Sequence, residues 1–273
     1  MAQTLLGSIV SLWRYPVKSM LGEELNAAEV TNRGLLGDRA YALVDSSDGK
    51  VASAKNPRKW PQLFDCRAVL ADVPKTGVKA PPVRITLPDG DIVKSDQPGL
   101  NQIFSKMVRR EVKLSAVADP QTGTAEEYWP DIEGLDHRDT VTHFSLPDGT
   151  FFDCALVHLL TTATLDWLRT LYPQGRFEVR RFRPNIVVAT ANGENDFAEN
   201  AWIGHVLTVG DDVRLNITGP CPRCVMTTLP QSDLPQDTGI LRSAAQHNGA
   251  NVGVYASVLQ GGMVRRGDLV RLD

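Results

Sequence analysis

Turn-forming residues interrupt this chain so often that most of its apolar runs have room only for short strands. Gly and Pro together number 39 (22 and 17) in 273 residues, and they fall between β-prone stretches rather than in one low-complexity block. Residues 5–13 are a β-prone run stopped by Tyr15 and Pro16. Residues 41–44 lead into Asp45-Ser46-Ser47-Asp48-Gly49 and then Val51, the outline of a hairpin. Residues 83–87 and 92–93 flank Pro88-Asp89-Gly90, where Pro presets φ and Gly accepts a positive one. The same Leu-Pro-Asp-Gly string at residues 146–149 predicts a second hairpin turn. Residues 186–189, 206–209, 213–217 and 268–272 are further strand candidates.

Helical spacing is confined to three places. Leu100, Ile103, Phe104 and Met107 share a face over 100–108, and Leu165, Leu168 and Leu171 share one over 164–171. Thr161 or Thr162 would cap the second helix, and Pro173 follows its end. Residues 238–247 give a weaker third pattern. The expected fold is therefore mainly β (α+β), with a few helices. The domain boundary is placed by charge. Residues 116–140 hold seven acids and one base with little periodicity, and predict an acidic linker or loop between residues 1–115 and 141–273. At this length it would be a long structureless loop, so a lid or partner-docking role is an alternative.

Composition excludes several classes. Apolar residues at 42% and charged residues at 22% suit a globular chain. The net charge of −3 divides into 17 bases against 12 acids over residues 1–115 and 12 bases against 20 acids over 116–273. That does not suggest nucleic-acid binding, but it permits a small anion held by a few placed bases. Four cysteines are too few for a disulfide scaffold. The start shows no basic region followed by a long apolar run, and no apolar stretch approaches the roughly 20 residues of a membrane span. A cytoplasmic monomer with reduced thiols is expected.

Chemistry concentrates in Gly219-Pro220-Cys221-Pro222-Arg223-Cys224-Val225-Met226-Thr227-Thr228. A C-x-x-C pair serves as half a zinc site, as a dithiol, as the carrier of one metal-binding thiolate, or as two ordinary buried thiols. No second pair completes a zinc site. A reactive dithiol belongs at a helix start, whereas residues 225–228 are β-prone. A soft thiolate suits a transition metal, and Arg223 next to Cys224 would favour its ionised form. Isolated bases recur in Pro16-Val17-Lys18-Ser19, Gly37-Asp38-Arg39 and Arg181-Phe182-Arg183-Pro184-Asn185. Each alone reads as surface charge.

Together, and in this order, these strings resemble the MOSC family, the molybdenum cofactor sulfurase C-terminal domain proteins, in the form that carries an N-terminal β-barrel domain. Residues 12–19 and 33–39 look like signatures of that barrel. Residues 183–186, Trp202-Ile203-Gly204 and residues 221–224 look like those of the MOSC domain. The resemblance extends to amidoxime-reducing components and implies a molybdenum cofactor (Mo-molybdopterin). By the resemblance Cys224 ligates molybdenum and is the catalytic residue. Lys18, Ser19 and Arg39 reach the cofactor from the N-terminal domain. Arg183, Asn185, Pro222 and Arg223 hold it from the other side, with Tyr255 nearby. Thr161 and Thr162 fall where the family has small polar residues at a helix start. Cys221 is a supporting thiol, and Cys66 and Cys154 read as small buried residues.

The implied reaction is reduction of a small N-hydroxylated or N-oxide substrate by oxygen-atom transfer to molybdenum. No G-x-G-x-x-G string and no ferredoxin cysteine pattern is present, so a separate electron donor of ferredoxin or flavin-reductase type is expected. The alternative is a cofactor carrier or sulfur-transfer module without turnover. The full sulfurase also carries a pyridoxal-phosphate domain, for which this chain has no room and no candidate Schiff-base lysine. His143, His158, Asp153 and Tyr255 remain open as proton donors.

Overall fold

The computed structural model describes residues 4–116, 123–191, 193 and 196–273. Seven strands close a barrel in the order Ile186–Thr190, Val157–Thr161, Asn251–Gln260, Val213–Pro222, Val206–Val209, Leu269–Leu272 and Thr4–Arg14. The last of these returns to the first, with Leu12 opposite Ile186 and Gly7 opposite Thr190. Glu23–Leu25 adds an eighth strand outside the ring. The chain's first strand thus shares a barrel with its final one: Thr4 lies opposite Leu272.

Alternation explains the barrel core. Ile9 and Leu12, then Leu207 and Val209, then Val213, Leu215 and Ile217 point inward and are at most 2% exposed. Burying each such side chain stabilises the fold by roughly 1.5–3 kcal/mol. Val157–Thr161 departs from alternation and is buried throughout. It pairs in parallel with Ile186–Thr190, and a parallel pair needs a crossover. The helix Thr162–Leu171 supplies part of it. Leu165 and Leu168 pack with Leu160, Phe177 and Phe182 on the barrel's outer face. Thr161 caps this helix by accepting from the Thr164 N–H, as its sequence predicts.

The N-terminal half is made of smaller sheets around a second core that includes Leu43, Trp60, Leu63, Ile85 and Phe104. Tyr41–Asp45 pairs with Val112–Ala116, so the turn after Asp45 contributes only one bridge, Val44 to Val51. The turn at Pro88-Asp89-Gly90 joins Val83–Thr86 to Ile92–Lys94 as expected. The turn at 147–149 does not make a hairpin. The strand before it, Thr140–Ser145, pairs backward with Thr124–Trp129. Part of the predicted acidic loop is therefore a strand, because Glu126 and Glu127 find Lys50, Lys55 and Lys59. Residues 117–122 of that stretch lie outside the described residues. Among the described residues no helix is long and apolar enough to cross a membrane.

Candidate functional site

Three strings that lie far apart in sequence are tied together by backbone and side-chain hydrogen bonds. Lys18 N–H donates to the Tyr41 carbonyl and Arg39 N–H to that of Tyr15, which fastens residues 15–20 to residues 38–41. Asp38 then joins this unit to the barrel. One of its carboxylate oxygens accepts from the Tyr15 N–H at 2.7 Å, and the other accepts from Asn185 Nδ2 at 2.9 Å and from Arg39. Asn185 Oδ1 in turn accepts from the His158 N–H at 3.1 Å. Both ends of the Asn185 side chain are thus engaged by protein, so its part in the site is to hold the seam.

The result is a cleft lined by Lys18, Ser19, Arg39, Arg183, Asn185, Pro222, Arg223, Cys224 and Tyr255. Nine of the eleven residues singled out from the sequence meet there. Thr161 and Thr162 do not. Thr161 is fully buried, donates to Glu199 Oε2 at 2.5 Å and caps the neighbouring helix, so its hydroxyl is consumed by the fold. The cleft also contains Lys55, Phe151, Phe152, Asp153, Cys154 and His158. Of the proton-donor candidates, His143 sits outside it on Thr140–Ser145. Cys154 is exposed rather than buried, because it follows Asp153 on a loop between strands. Lys55 and Phe152 were invisible in the sequence, since a lone Lys or Phe carries no pattern.

Charge is concentrated here. Lys18, Arg39, Lys55, Arg183 and Arg223 line the cleft, and Asp153 is the carboxylate among its lining residues. Lys18 Nζ donates to the Phe151 carbonyl at 2.9 Å and to Asp153, while Lys55 Nζ lies 3.6 Å from Asp153 and 3.4 Å from Glu127. Burial opposes ionisation of Asp153, but Lys18 and Lys55 outweigh it and hold the carboxyl well below its usual range. Burial lowers the Lys18 pKa against the pull of Asp153. Burial, and then repulsion from Arg39, bring even Arg183 down to about 10. Arg183 lies 4.1 Å above the Tyr15 ring and Arg39 4.9 Å from its centroid, two cations on one aromatic residue.

The backbone is unusual at the same place. Ser19, Arg39 and Arg183 have φ of 63°, 47° and 53°, in the left-handed region that non-glycine residues enter at a cost of order 1–3 kcal/mol. Dense local packing maintains it. Ser19 Oγ accepts from the Ala54 N–H, and Arg183 Nη1 donates to the Met20 carbonyl at 2.6 Å.

The two thiols of the C-x-x-C pair differ. Cys221 ends the long strand Val213–Pro222, and Arg223 Nη1 donates to its sulfur at 2.7 Å. Burial would raise this thiol, but Arg223 and His158, with hydrogen bonds from His158 and Tyr255, lower it well below the usual value. For Cys224 burial dominates, Glu127 adds to it, and the thiol is pushed up to about 12 despite Lys55 and Arg223. Arg223 does favour the Cys224 thiolate, as expected, but burial outweighs it. Residues two apart on an extended chain share a face, so Arg223 turns to Cys221. Nor do residues 225–228 continue as a strand. They form a 3-10 turn whose first carbonyl, that of Cys224, accepts from the Thr227 N–H and hydroxyl at 3.2 and 3.0 Å.

The residues suit a phosphate-bearing group ligated by one thiolate. Arg223 Nε is buried without a partner, a donor still to be satisfied. Cations outnumber carboxylates around it, and a protonated thiol gives up its proton when a metal binds it. An arriving phosphate would replace Asp153 as the partner of Lys18 and Lys55. The cleft encloses about 80 Å³. Among the described residues no cluster of three His, Cys, Asp or Glu could hold a metal ion by itself.

A barrel whose closing strands and preceding small sheets enclose one basic, thiol-bearing cleft defines a two-part architecture, and sequence comparison puts this chain in the MOSC family. The MOSC domain matches residues 141–271 and the MOSC N-terminal beta barrel domain matches residues 6–128. Among relatives, mitochondrial amidoxime reducing component 2 of Bos taurus is 28% identical over 272 residues, covering 86% of this chain and 69% of that protein. The human protein of the same name is 28% identical over 258 residues with the same coverage. Human molybdenum cofactor sulfurase is 23% identical over 276 residues, covering 90% of this chain and 29% of its own length.

Proposed function

We propose that this protein binds the molybdenum cofactor in the basic cleft and reduces small N-hydroxylated or N-oxide compounds, with electrons from a separate protein donor. The observation that carries the reading is the buried Arg223 Nε without a partner, within a cluster of cations and beside the Cys224 thiol. The names of the similar proteins, amidoxime reducing components and a molybdenum cofactor sulfurase, support the same chemistry.

In this reading Lys18, Lys55, Arg39 and Arg183 hold the phosphate, for which Arg forks and a Lys point charge are suited. Arg223 would offer its free Nε to the cofactor. Cys224, at the head of the 3-10 turn, would provide the protein's sulfur to the metal. When bound, the cofactor would supply the two-electron oxygen-atom acceptor that the side chains themselves lack. Tyr255, His158 and Asp153 line the same space and are the groups within it that can hold or deliver protons. Asp153, held ionised by its lysines, suits acceptance better than donation.

The test is to purify the protein from a host that makes molybdopterin, and to measure molybdenum by mass spectrometry beside the Cys224→Ala variant. Near-stoichiometric metal in the parent and its loss in the variant are expected. So is turnover of an amidoxime with a chemically reduced viologen dye and none with NADH alone. Metal without turnover would replace the enzyme by a cofactor carrier. No metal in either protein would overturn the reading.

A further inference from the structure

Beside the cofactor cleft lies a second, roomier pocket of about 290 Å³, formed by residues 31–33, 35–40, 74–78, Ala80, Thr150 and Phe152. Arg39 and Phe152 line both, with the Arg39 guanidinium 5.5 Å from the centre of the Phe152 ring. Whatever enters the second pocket therefore ends against a wall of the first. A cavity of about 150 Å³ already receives benzene, so this one admits a ring with substituents.

Its lining is apolar in the middle and cationic at the rim. Leu35, Leu36, Pro74, Val78 and Phe152 supply the apolar surface. Val78 is 67% exposed, an apolar side chain on a loop with nothing yet covering it. Gly77 before it has φ of 77°, and no atom lies within 4 Å of where a Cβ would stand, so the tip is free of packing. At the rim stand Arg33 and Lys75. Lys75 is exposed, and among the described residues it has no ion-pair partner. The lining carboxylate, Asp38, is taken by the Tyr15 N–H, Asn185 and Arg39. Glu29, outside the lining, accepts the Thr76 hydroxyl at 2.6 Å. Arg33 Nη2 donates to the neutral Gly149 carbonyl at 2.6 Å, so the two rim bases keep their positive charge.

We propose that this pocket holds the organic body of the substrate, and that the body it fits is an aromatic or aliphatic group bearing an anionic substituent such as a carboxylate. The body packs on Leu35, Leu36 and Val78, the anion meets Lys75 and Arg33, and the N-oxygenated end is presented at the Arg39–Phe152 wall. This rests on the reading that the neighbouring cleft carries the reaction.

The experiment compares benzamidoxime bearing a 4-carboxylate with its methyl ester. Calorimetric affinity and KM are measured on the molybdenum-loaded protein and on Lys75→Glu and Val78→Asp. Lys75 and Val78 are exposed on a loop, so neither substitution threatens the fold. The carboxylate is expected to bind about tenfold more tightly than the ester, the scale of one well-placed charge contact. Lys75→Glu abolishes or reverses that preference, and Val78→Asp weakens both ligands. Equal binding of the two ligands, unchanged by either substitution, in a parent that loads metal and turns over would overturn the pocket and leave the function standing. Carboxylate-selective binding lost in Lys75→Glu, in a parent that never loads metal, would uphold the pocket as a ligand site and overturn the reaction. A parent that neither loads metal nor binds either ligand overturns both.

Discussion

Arg181 and Arg183 stand two residues apart at the end of one short helix, and their surroundings are opposite. Arg181 is fully buried, and its guanidinium donates to the carbonyls of Arg176, Thr227, Leu229 and Pro235 at 2.8–3.1 Å. Each of its three nitrogens has a carbonyl partner, so it acts as a clamp between the helix Val179–Phe182 and the turn that carries Cys224. Arg183 donates to one carbonyl, lies over Tyr15 and is repelled by Arg39. A buried cation whose every nitrogen is hydrogen-bonded to the backbone organises the fold. One that is held in place yet electrostatically uncomfortable is ready for an anion.

The comparison breaks most visibly at Arg181. Arg181→Ala leaves four acceptors facing a cavity and is expected to cost about 3–5 kcal/mol, read as a lower urea midpoint. A midpoint equal to the parent's would mean that the clamp is idle. Arg183→Ala should do the reverse. Stability should fall by no more than about 1–2 kcal/mol, since one hydrogen bond is lost and a repulsion relieved. Molybdenum occupancy, however, should drop at least about tenfold by mass spectrometry.

The two thiols sharpen the contrast through pH. Thiolate absorbance near 240 nm should titrate with a midpoint well below the ordinary thiol value of about 8.5, and the signal should vanish in Cys221→Ser but survive in Cys224→Ser. Because the folded pKa of Cys221 is depressed, its stabilising contribution is fully present above the unfolded value. It is lost as pH falls through the folded one. Relative to Cys221→Ser, the parent should therefore gain stability between those two pH values on the way up. The smallest effect is expected at Asp153. Asp153→Asn removes the internal anion from Lys18 and Lys55, so inorganic phosphate should bind about threefold more tightly by calorimetry. Weaker binding would show that the carboxylate shapes the site rather than competing for it.

Local patterns carried much of this structure. The helix over 100–108 and the capped helix after Thr161 follow from spacing and a hydroxyl, and Pro88-Asp89-Gly90 turns as its residues dictate. The misreadings turn on partners that spacing does not reveal, some far away in sequence and some a residue or two along. Glu126 and Glu127 read as solvated acids until Lys50, Lys55 and Lys59 are placed opposite them. Val225–Thr228 reads as a strand until Arg181 and Thr227 draw it into a turn. The chemistry of the C-x-x-C pair depended on which thiol Arg223 faces, and a one-residue offset decides that. Thr161 looked available because its partner, Glu199, is 38 residues away. Lys18, Arg39 and Arg183 were legible only as members of a family pattern, because a lone base in a β-rich segment is ambiguous by itself.

The first strand, Thr4–Arg14, is paired on one side with residues 186–190 and on the other with residues 269–272. A ribosome releases residues 4–14 long before residues 269–272, their partner across the barrel seam. Through that interval the strand presents unpaired backbone and the apolar face of Ile9 and Leu12, a template for mistaken pairing with other chains. Closure over so long a loop places this protein among slow, non-local folders. Its yield in a cell will accordingly depend on what shields those eleven residues until residues 186–190 and 269–272 have followed.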